Sequence, residues 1–272
     1  MCIRDRWNTA TVSNGSHTLT ARARDAAGNQ TTSSSVTVNV SNTTTTLSGL
    51  LAAYAFNENS GTTAADLSGN SNTGSVSGAT WSAQGKFGNA LSFDGGSNVV
   101  NVNDSSSLWL NNGMTLEAWV YPINALAGWK SILRKEGDAF FLYASSDQGN
   151  VPAVGGNFGS VAGYQIAFGT SPLPSNTWTH LAATYDGSVL RLFVNGSQVS
   201  SLTVGGPIRN DALPLRIGNS TYPGECLPGT IDEVRIYGRA LSQSEIQNDM
   251  NTSIGGTSVN SSLPAPTNVS VK

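Results

Sequence analysis

The stretch that most constrains the fold is Asn176–Val204, NTWTHLAATYDGSVLRLFVNGSQVSSLTV. Two β-rich runs, Thr177–Tyr185 and Val189–Val194, end at Asp186-Gly187 and Asn195-Gly196. Asp-Gly and Asn-Gly favour two-residue hairpin turns, because such turns need positive φ at their central residues. The stretch therefore predicts three antiparallel strands joined by two tight turns.

The first of these strands carries apolar groups on both of its faces. Side chains alternate along a strand, which places Trp178, His180 and Ala182 on one face and Leu181 and Tyr185 on the other. Apolar groups on both faces are typical of a strand that is covered on both sides. We expect this ribbon to lie in the middle of a larger sheet.

The rest of residues 49–251 repeats the pattern of short strands separated by turns that contain Gly or Asn. Met114–Tyr121 alternates cleanly, and Ala90–Phe93 and Val99–Val102 suggest a hairpin around Asp94-Gly95-Gly96. Ser242, with Glu245 three residues later, predicts the capping box of a single helix. Regular spacing of short strands predicts an all-β fold, a two-sheet antiparallel sandwich.

Composition excludes several classes of protein. Charged residues make up 11% of the chain, well below the roughly 25% usual in soluble domains. With a net charge of −3 and no basic run, the chain is not expected to bind nucleic acid. No run of about 18 apolar residues is present, so no membrane insertion is expected. Cys2 and Cys226 are too few for a disulfide framework.

The two ends of the chain differ from its middle. HTLTARARDAAGN, within residues 1–41, resembles the last strands of a bacterial immunoglobulin-like domain, and residues 264–272 resemble the start of a fibronectin type III domain. Residues 42–48 and 252–263 are polar and low in complexity, as in linkers. Residues 1–6, MCIRDR, resemble adapter-derived starts of metagenomic genes and are expected to be non-native. We expect one complete domain, residues 49–251, within a longer multidomain protein.

Four ordered motifs carry a family resemblance. They are FNENSGTTAADLSGNSNTG (56–74), GKFGNALSFDG (85–95), WTHLAATYDGSVLRLFVNG (178–196) and GTIDEVRIYGRALSQSEI (229–246). Together they resemble the laminin G-like, concanavalin A-like jelly-roll domains of bacterial secreted proteins. The resemblance implies two curved antiparallel sheets and a role in recognising carbohydrate or protein. It does not fix the ligand, because this fold hosts lectins, adhesins and glycosidases.

Calcium is the cofactor that the sequence predicts. Asp66, Ser68, Asn70 and Asn72 place oxygen-bearing side chains at every second position of a loop, which is a donor set that suits a hard cation. The resemblance implies Asp232 as a further carboxylate ligand. The alternative is simple turn chemistry, in which such side chains bond to their own backbone. A bound ion would be structural rather than catalytic.

Paired carboxylates suitable for glycoside hydrolysis are not evident in the sequence. Two carboxyl groups about 5 to 9 Å apart must face one site. Asp232 and Glu233 are adjacent, so their side chains are expected to diverge, and Glu117 has no acidic partner two residues away. Glu136 and Asp138 share a Gly-containing turn that is interpreted as a solvated hairpin. The domain is therefore predicted not to be an enzyme.

His180 raises the alternative of a nucleophilic triad. It lies between Trp178 and Ala182 on one face of a predicted central strand, and the chain has no G-x-S-x-G motif. A core histidine with satisfied hydrogen bonds is the favoured interpretation.

Sugar binding would use aromatic rings that stack on pyranose faces. Trp129, Tyr164 and Tyr222 lie in predicted loops, outside the obvious core strands, and are the candidate carbohydrate contacts. The alternative for each is ordinary packing.

These observations favour non-catalytic carbohydrate recognition by a secreted or cell-surface multimodular bacterial protein. A polysaccharide or glycoconjugate is the expected partner. Two alternatives stay open: a protein-adhesion or spacer module, and an accessory module of an enzyme whose catalytic domain lies outside this chain.

Overall fold

The computed structural model describes residues 15–25, 27–40, 48–159 and 163–255. The chain divides into two compact units, one comprising Met1–Thr46 and Gly256–Lys272 and the other Leu47–Gly255. The predicted fibronectin-like start, residues 264–272, lies outside the described residues, as does nearly all of the linker at 42–48.

The described part of the first unit contains two antiparallel strand pairs. Strand β1 (Gly15–Leu19) pairs with β4 (Val36–Val40), and β2 (Arg22–Arg24) pairs with β3 (Gln30–Thr32). Both pairs fall in the stretch that resembles an immunoglobulin-like domain.

The regular secondary structure of the second unit consists almost entirely of strands. They are β5 (Leu50–Tyr54), β6 (Thr63–Ala64), β7 (Gly74–Ser77), β8 (Thr80–Ser82), β9 (Ala90–Asp94), β10 (Val99–Val102), β11 (Met114–Pro122), β12 (Lys130–Lys135), β13 (Phe140–Ser145), β14 (Ala153–Gly156), β15 (Gln165–Phe168), β16 (Thr179–Tyr185), β17 (Val189–Val194), β18 (Ser197–Thr203), β19 (Leu215–Ile217) and β20 (Pro228–Tyr237). Short 3-10 turns lie at Ser106–Leu108 and Glu136–Asp138, and one helix, α1, spans Gln243–Met250.

These strands form two antiparallel sheets. The first has the order β15-β14-β13-β12-β19-β10-β7-β6, and we call it the cavity sheet. The second has the order β18-β17-β16-β11-β20-β9-β8, with β5 also paired to β20, and we call it the helix sheet. The all-β sandwich predicted from the sequence is confirmed.

The core fills the space between the sheets. On β11, Leu116, Ala118 and Val120 belong to this core, and on β13 Phe140 and Leu142 do. Their neighbours along each strand point outward, as a period of two requires. Burying apolar side chains of this size contributes roughly 1.5–3 kcal/mol each to folding.

The central ribbon forms as predicted at one turn and differs at the other. Val194 pairs with Ser197 across Asn195-Gly196, whose φ values of 48° and 73° are both positive, so this turn has two residues. The other connection is longer than predicted, because β16 ends at Tyr185 and β17 begins at Val189, which leaves three residues between the strands. The Asp186 side chain stabilises it by accepting hydrogen bonds from Ser188 N (3.0 Å) and Val189 N (2.8 Å).

The position of the ribbon in its sheet also differs from the prediction. β16 is buried throughout, but β18 is the edge strand of the helix sheet and is largely exposed. The ribbon therefore runs from the middle of the sheet to its margin. Its outer strand reads SQVSSLT, which is too polar to need cover on both faces.

The predicted hairpin around Asp94-Gly95-Gly96 does not form. β9 pairs with β8 and β20 in the helix sheet, whereas β10 pairs with β7 and β19 in the cavity sheet. The turn is thus a crossing between the two layers. The sequence cue was local, and the strands find stronger partners that are distant in sequence.

Helix α1 covers the outer face of the helix sheet. Ser242 and Glu245 form both halves of the predicted capping box. Ile246 packs with Ala182, Phe193 and Tyr237 in a cluster separate from the inter-sheet core. The chain then continues against this face, because Ile254 packs on Ala53 and Ala55 beyond residue 251.

Candidate functional site

A cavity of about 180 Å³ lies on the outer face of the cavity sheet. Strands β12, β13 and β15 supply its floor, and the connection between β19 and β20 supplies one wall. The lining contains five aromatic side chains, one of them a buried phenol, together with one isoleucine, one arginine and two carboxylates. These residues are Trp129, Arg134, Asp138, Phe141, Tyr143, Tyr164, Ile166, Tyr222 and Glu225.

Strand alternation explains why aromatic rings reach this face. Phe140 and Leu142 point into the inter-sheet core, so Phe141 and Tyr143 point outward. There they form a second apolar cluster, which Trp129 and residues of β15 complete. This half of the cavity sheet is therefore apolar on both faces.

The rings hold one another in edge-to-face contacts. The ring centroids of Trp129 and Tyr143 are 5.1 Å apart, those of Phe141 and Tyr143 are 5.2 Å apart, and those of Phe141 and Tyr164 are 6.3 Å apart. Such pairs are favourable by about 0.5–1.5 kcal/mol beyond their buried area. The rings of the floor are thus fixed before any ligand arrives.

Tyr164 and Tyr222 form the exposed rim of the cavity. They are 51% and 44% exposed, respectively, although each ring contacts a cavity residue. The interaction with Tyr222 is the main reason that the pKa of Tyr164 is raised. Solvent-exposed rings over an apolar floor are suited to stacking on a flat ligand.

Arg134 lies at the centre of the site and is 5% exposed. Its Nη1 donates to the Tyr143 hydroxyl at 2.5 Å, Nη2 contacts Asp138, and Nε lies 3.5 Å from Glu136 Oε2. The guanidinium carbon also lies 4.4 Å from the centroid of the Tyr222 ring. Burial lowers the pKa of Arg134, but Tyr143 and Glu136 raise it by more, so the guanidinium stays protonated.

Glu225 fastens the wall to the floor. Its Oε2 accepts hydrogen bonds from the Tyr143 hydroxyl at 2.6 Å and from Ser220 Oγ at 2.5 Å. Burial raises the pKa of the Tyr143 phenol, Arg134 opposes the rise and Glu225 adds to it, so this phenol remains a hydrogen-bond donor. The residues before Tyr222 are therefore attached to β13.

Glu136 and Asp138 do not form the solvated hairpin that the sequence suggested. They are only 4% and 7% exposed, and both pair with Arg134. Glu136 also accepts from Thr221 N at 3.0 Å and from Thr221 Oγ1 at 2.8 Å. The expectation was wrong because burial of Glu136 depends on Thr221, which lies far along the chain.

All three sequence-predicted carbohydrate residues, Trp129, Tyr164 and Tyr222, line this one cavity. The sequence reasoning missed six further lining residues: Arg134, Asp138, Phe141, Tyr143, Ile166 and Glu225. The aromatic ones were within reach, because Phe141 and Tyr143 alternate with core residues in FFLYAS, and a second aromatic face on a strand needs something to cover it. Arg134 and its acids gave no such signal.

The predicted calcium loop forms a set of hydrogen-bonded turns. Asp66 Oδ1 accepts from Ala53 N and Ser68 N, both at 2.9 Å. Its Oδ2 accepts from Ser68 Oγ at 2.8 Å and from Asn72 N at 2.9 Å. Four donors thus surround this carboxylate, which is the arrangement of the alternative turn interpretation.

The other proposed calcium ligands are engaged elsewhere. Asn70 and Asn72 both direct their amide nitrogen at the Leu51 carbonyl, at 3.1 Å and 2.8 Å. Asp232 accepts instead from Phe87 N and Glu233 N. Among the described residues, no group of three or more His, Cys, Asp or Glu side chains is arranged to hold a metal. As folded, these side chains bond to protein groups, and calcium stays a prediction of the sequence alone.

A β-bulge changes the expected divergence of Asp232 and Glu233. On β20, Arg235 pairs with Glu117 and Asp232 pairs with Trp119, so one extra residue is accommodated, and Glu233 has a φ of 55°. Both carboxylates consequently face the side covered by α1, and both are fully buried. Burial raises the pKa of Asp232 to about 7, with Phe87 opposing and Glu233 adding to the rise. Buried acids of this kind offer no access to a substrate.

His180 is a core residue, as predicted, but its hydrogen bonds differ from the prediction. Its ring lies 5.2 Å from that of Trp119 in an edge-to-face contact. Neither ring nitrogen has a hydrogen-bond partner among the residues that the structure describes. Burial, together with Arg235 and Lys86, lowers the pKa of His180 to about 3.

The fold defines a class of protein, the two-sheet antiparallel jelly-roll domains. The chain belongs to the concanavalin A-like lectin/glucanases superfamily, whose sequence model matches residues 94–247. The laminin G-like resemblance is thereby confirmed for this part of the chain.

Curated relatives match a short segment. Pappalysin-1 of Mus musculus and of Homo sapiens are each 39% identical over 80 residues. This match covers 28% of the present chain and 5% of each relative. The chain therefore spans only a small part of the length of these proteins.

Several solved structures share the fold at low identity. Domain 4 of AbnA, an extracellular arabinanase of Geobacillus stearothermophilus in complex with arabinotriose, is 22% identical with a TM-score of 0.61, over 74% of this chain and 98% of that one. The binding domain of Paraclostridial Mosquitocidal Protein 1 is 17% identical with a TM-score of 0.63, over 76% and 52%. A Trypanosoma rangeli sialidase complex is 19% identical with a TM-score of 0.52, over 74% and 32%. At such identities the likeness shows the fold alone.

No helix in the described parts of the chain is long and apolar enough to cross a membrane.

Proposed function

We propose that residues 49–251 form a non-catalytic carbohydrate-recognition module that binds glycan in the aromatic cavity. One observation carries the proposal: Trp129, Tyr164 and Tyr222, selected as stacking residues from the sequence, come together in one concave site. Stacking on apolar sugar faces, with polar groups for the hydroxyls, is the chemistry that such a lining favours.

The polar lining supports the same proposal. Carboxylates and phenols accept or donate hydrogen bonds to hydroxyl groups, and the Asp138 and Glu225 side chains reach the cavity beside the rings. The arabinotriose complex of AbnA domain 4 gives an example of a carbohydrate bound by a domain with this fold.

Binding rather than catalysis is favoured by how the acids are used. Glu136 and Asp138 are paired with Arg134, and Glu225 accepts hydrogen bonds from Tyr143 and Ser220. A retaining or inverting glycosidase needs one carboxyl free to act as acid and another as nucleophile or base. The comparison with binding domains from other proteins agrees with this assignment.

The proposal places the module in a secreted or cell-surface multimodular bacterial protein. The immunoglobulin-like and fibronectin-like flanks, residues 1–41 and 264–272, are part of this proposal and rest on sequence resemblance. Sequencing the parent gene on both sides of this chain tests it, because intact modules of those two kinds should then flank the jelly-roll domain.

The binding test uses the full 272-residue chain on arrays of plant and bacterial polysaccharides. Trp129→Ala and Tyr222→Ala are each expected to reduce binding at least about tenfold, equivalent to about 1.4 kcal/mol. Trp109→Ala is the matched control, because Trp109 is 49% exposed and is not among the cavity lining. Equal binding by all of these chains would contradict the proposed site.

A blank array with folded protein would favour the alternatives instead. These are adhesion to another protein, a spacer role, or an accessory role beside a catalytic domain outside this chain.

A further inference from the structure

We propose that the cavity selects glycans without acidic groups and rejects those that carry carboxylate or sulfate. This inference rests on the proposed carbohydrate binding and adds the ligand class. It follows from how the single arginine of the site is used and from the acids that surround it.

Arg134 is not available to an incoming anion. Its Nη1 donates to Tyr143 at 2.5 Å, its Nη2 contacts Asp138, and its Nε faces Glu136 at 3.5 Å. One face of the guanidinium is covered by Tyr222 at 4.4 Å, and Phe141 lies 5.6 Å away. Nε has no hydrogen-bond partner among the described residues, but it is buried, and with the side chain 6% exposed the guanidinium presents no accessible edge to a bidentate ligand.

The lining carries more negative than positive charge. The lining has one positive side chain, Arg134, and two negative ones, Asp138 and Glu225. A further carboxylate, that of Glu136, lies 3.5 Å from Arg134. Two other cations, Arg216 and Lys130, are not part of the lining: Arg216 lies 3.9 Å from Glu136, and Lys130 contacts the Gly224 carbonyl. A carboxylate or sulfate bound among the rings would meet like charge at close range.

Hydrogen-bond chemistry points the same way. Ionised carboxylates only accept hydrogen bonds, so Asp138 and Glu225 can pair with sugar hydroxyls but not with another ionised acid. The Tyr143 phenol already donates to Glu225, and its oxygen accepts from Arg134. The buried polar groups of the site therefore present acceptors to the ligand.

The experiment first screens the full chain against neutral polymers (arabinan, galactan, mannan and xylan) and acidic ones (polygalacturonate, alginate and heparin). Tyr222→Ala is run in parallel to identify binding that depends on the cavity. All Tyr222-dependent hits are expected to be neutral. A Tyr222-dependent acidic hit of equal affinity would overturn the inference while leaving the proposed function in place, whereas a blank array would overturn both.

The second step uses matched derivatives of the best neutral polymer. Carboxymethylation adds negative charge, and hydroxyethylation adds similar bulk without charge. We expect the carboxymethyl form to bind at least tenfold more weakly than the hydroxyethyl form at 10 mM salt. The ratio should shrink at 1 M salt, where the screening length falls from about 30 Å to about 3 Å. Equal affinities for the two derivatives at low salt would refute charge selection.

A variant links the effect to the site. Glu225→Gln keeps the shape of the side chain and removes its charge, so it should reduce the ratio between hydroxyethyl and carboxymethyl binding. Asp147→Asn is the control, because Asp147 is exposed and is not part of the lining. An unchanged ratio in Glu225→Gln, with hydroxyethyl binding retained, would contradict the role given to this carboxylate.

Discussion

The guanidinium carbon of Arg134 lies 4.4 Å from the ring centroid of Tyr222, so a buried cation supports an exposed ring at the rim of the cavity. The same guanidinium pairs with three carboxylates, from Glu136, Asp138 and Glu225. Stability and the shape of the cavity therefore depend on one side chain.

Arg134→Met should destabilise the domain strongly. Removing one partner of a buried ion pair leaves uncompensated charge, which typically costs about 3–5 kcal/mol. Urea denaturation of the full chain measures this change. Arg191→Met is the control, because the Arg191–Asp186 pair (2.6 Å) is partly exposed and should contribute less than about 1 kcal/mol. Similar losses for the two variants would show that burial does not set the cost at Arg134.

Gly155→Ala should disturb the cavity floor without changing any polar group. A Cβ at this position would lie 2.6 Å from both the Gln165 carbonyl oxygen and Cζ of Phe141. Overpacking of this kind costs about 1–3 kcal/mol, and both the Phe141 ring and the Gln165 carbonyl of β15 must shift. Gly205→Ala is the matched control, since no atom lies within 4 Å of its Cβ.

Calorimetry and glycan titration of both glycine variants check this expectation. Glycan affinity should fall in Gly155→Ala and remain unchanged in Gly205→Ala. Wild-type affinity in a destabilised Gly155→Ala would show that the Phe141 ring takes no part in binding.

His180 should make stability depend on acid. Burial lowers its pKa to about 3, whereas the unfolded chain protonates near 6.5. The native state therefore binds fewer protons than the unfolded state between these values, so stability is fully present above pH 6.5 and is lost as pH falls towards 3. The upper limit of the loss is on the order of 5 kcal/mol.

The measurement compares wild type with His180→Gln in urea at pH 4, 5, 6 and 7. The difference between the two curves isolates His180, because the raised pKa of Asp232 acts in the opposite direction in both proteins. Wild type should lose stability relative to the variant at the lower pH values. A difference in stability that stays constant with pH would contradict the lowered pKa of His180.

A variant of Asp66 distinguishes a calcium site from a loop held only by hydrogen-bonded turns. Asp66→Ala removes the acceptor of four hydrogen bonds, so we expect it to lower the free energy of unfolding by about 3 kcal/mol with or without a chelator. If calcium binds here, EDTA should also lower the melting temperature of wild type but not that of Asp66→Ala. An unchanged wild-type melting temperature would rule out a structural calcium at this loop.

The parts of the fold that were predictable are those set by neighbouring residues. Asn195-Gly196 and the Ser242–Glu245 capping box follow from backbone and side-chain preferences that act over two to four residues. Alternation in MTLEAWVY likewise predicts which side chains of β11 enter the core.

The parts that were not predictable depend on distant partners. Glu136 is buried because Thr221 and Arg134 satisfy it, and Asp94-Gly95-Gly96 joins two sheets because β19 and β20 compete for the adjacent strands. Three of the five aromatic residues that line the candidate site, Trp129, Tyr164 and Tyr222, were identified by exclusion from the core. Their convergence depends on topology, which local patterns do not encode.

The connection between β19 and β20 carries Tyr222 and Glu225, while the remaining lining belongs to strands or their ends. The cavity is therefore made of a strand scaffold and one short connecting segment. Replacing residues 222–224 while retaining Thr221 and Glu225 would leave intact the sandwich ladders and the hydrogen bonds to Glu136 and Tyr143. Relatives, or an engineer, could in this way obtain new ligand preferences at little cost in folding.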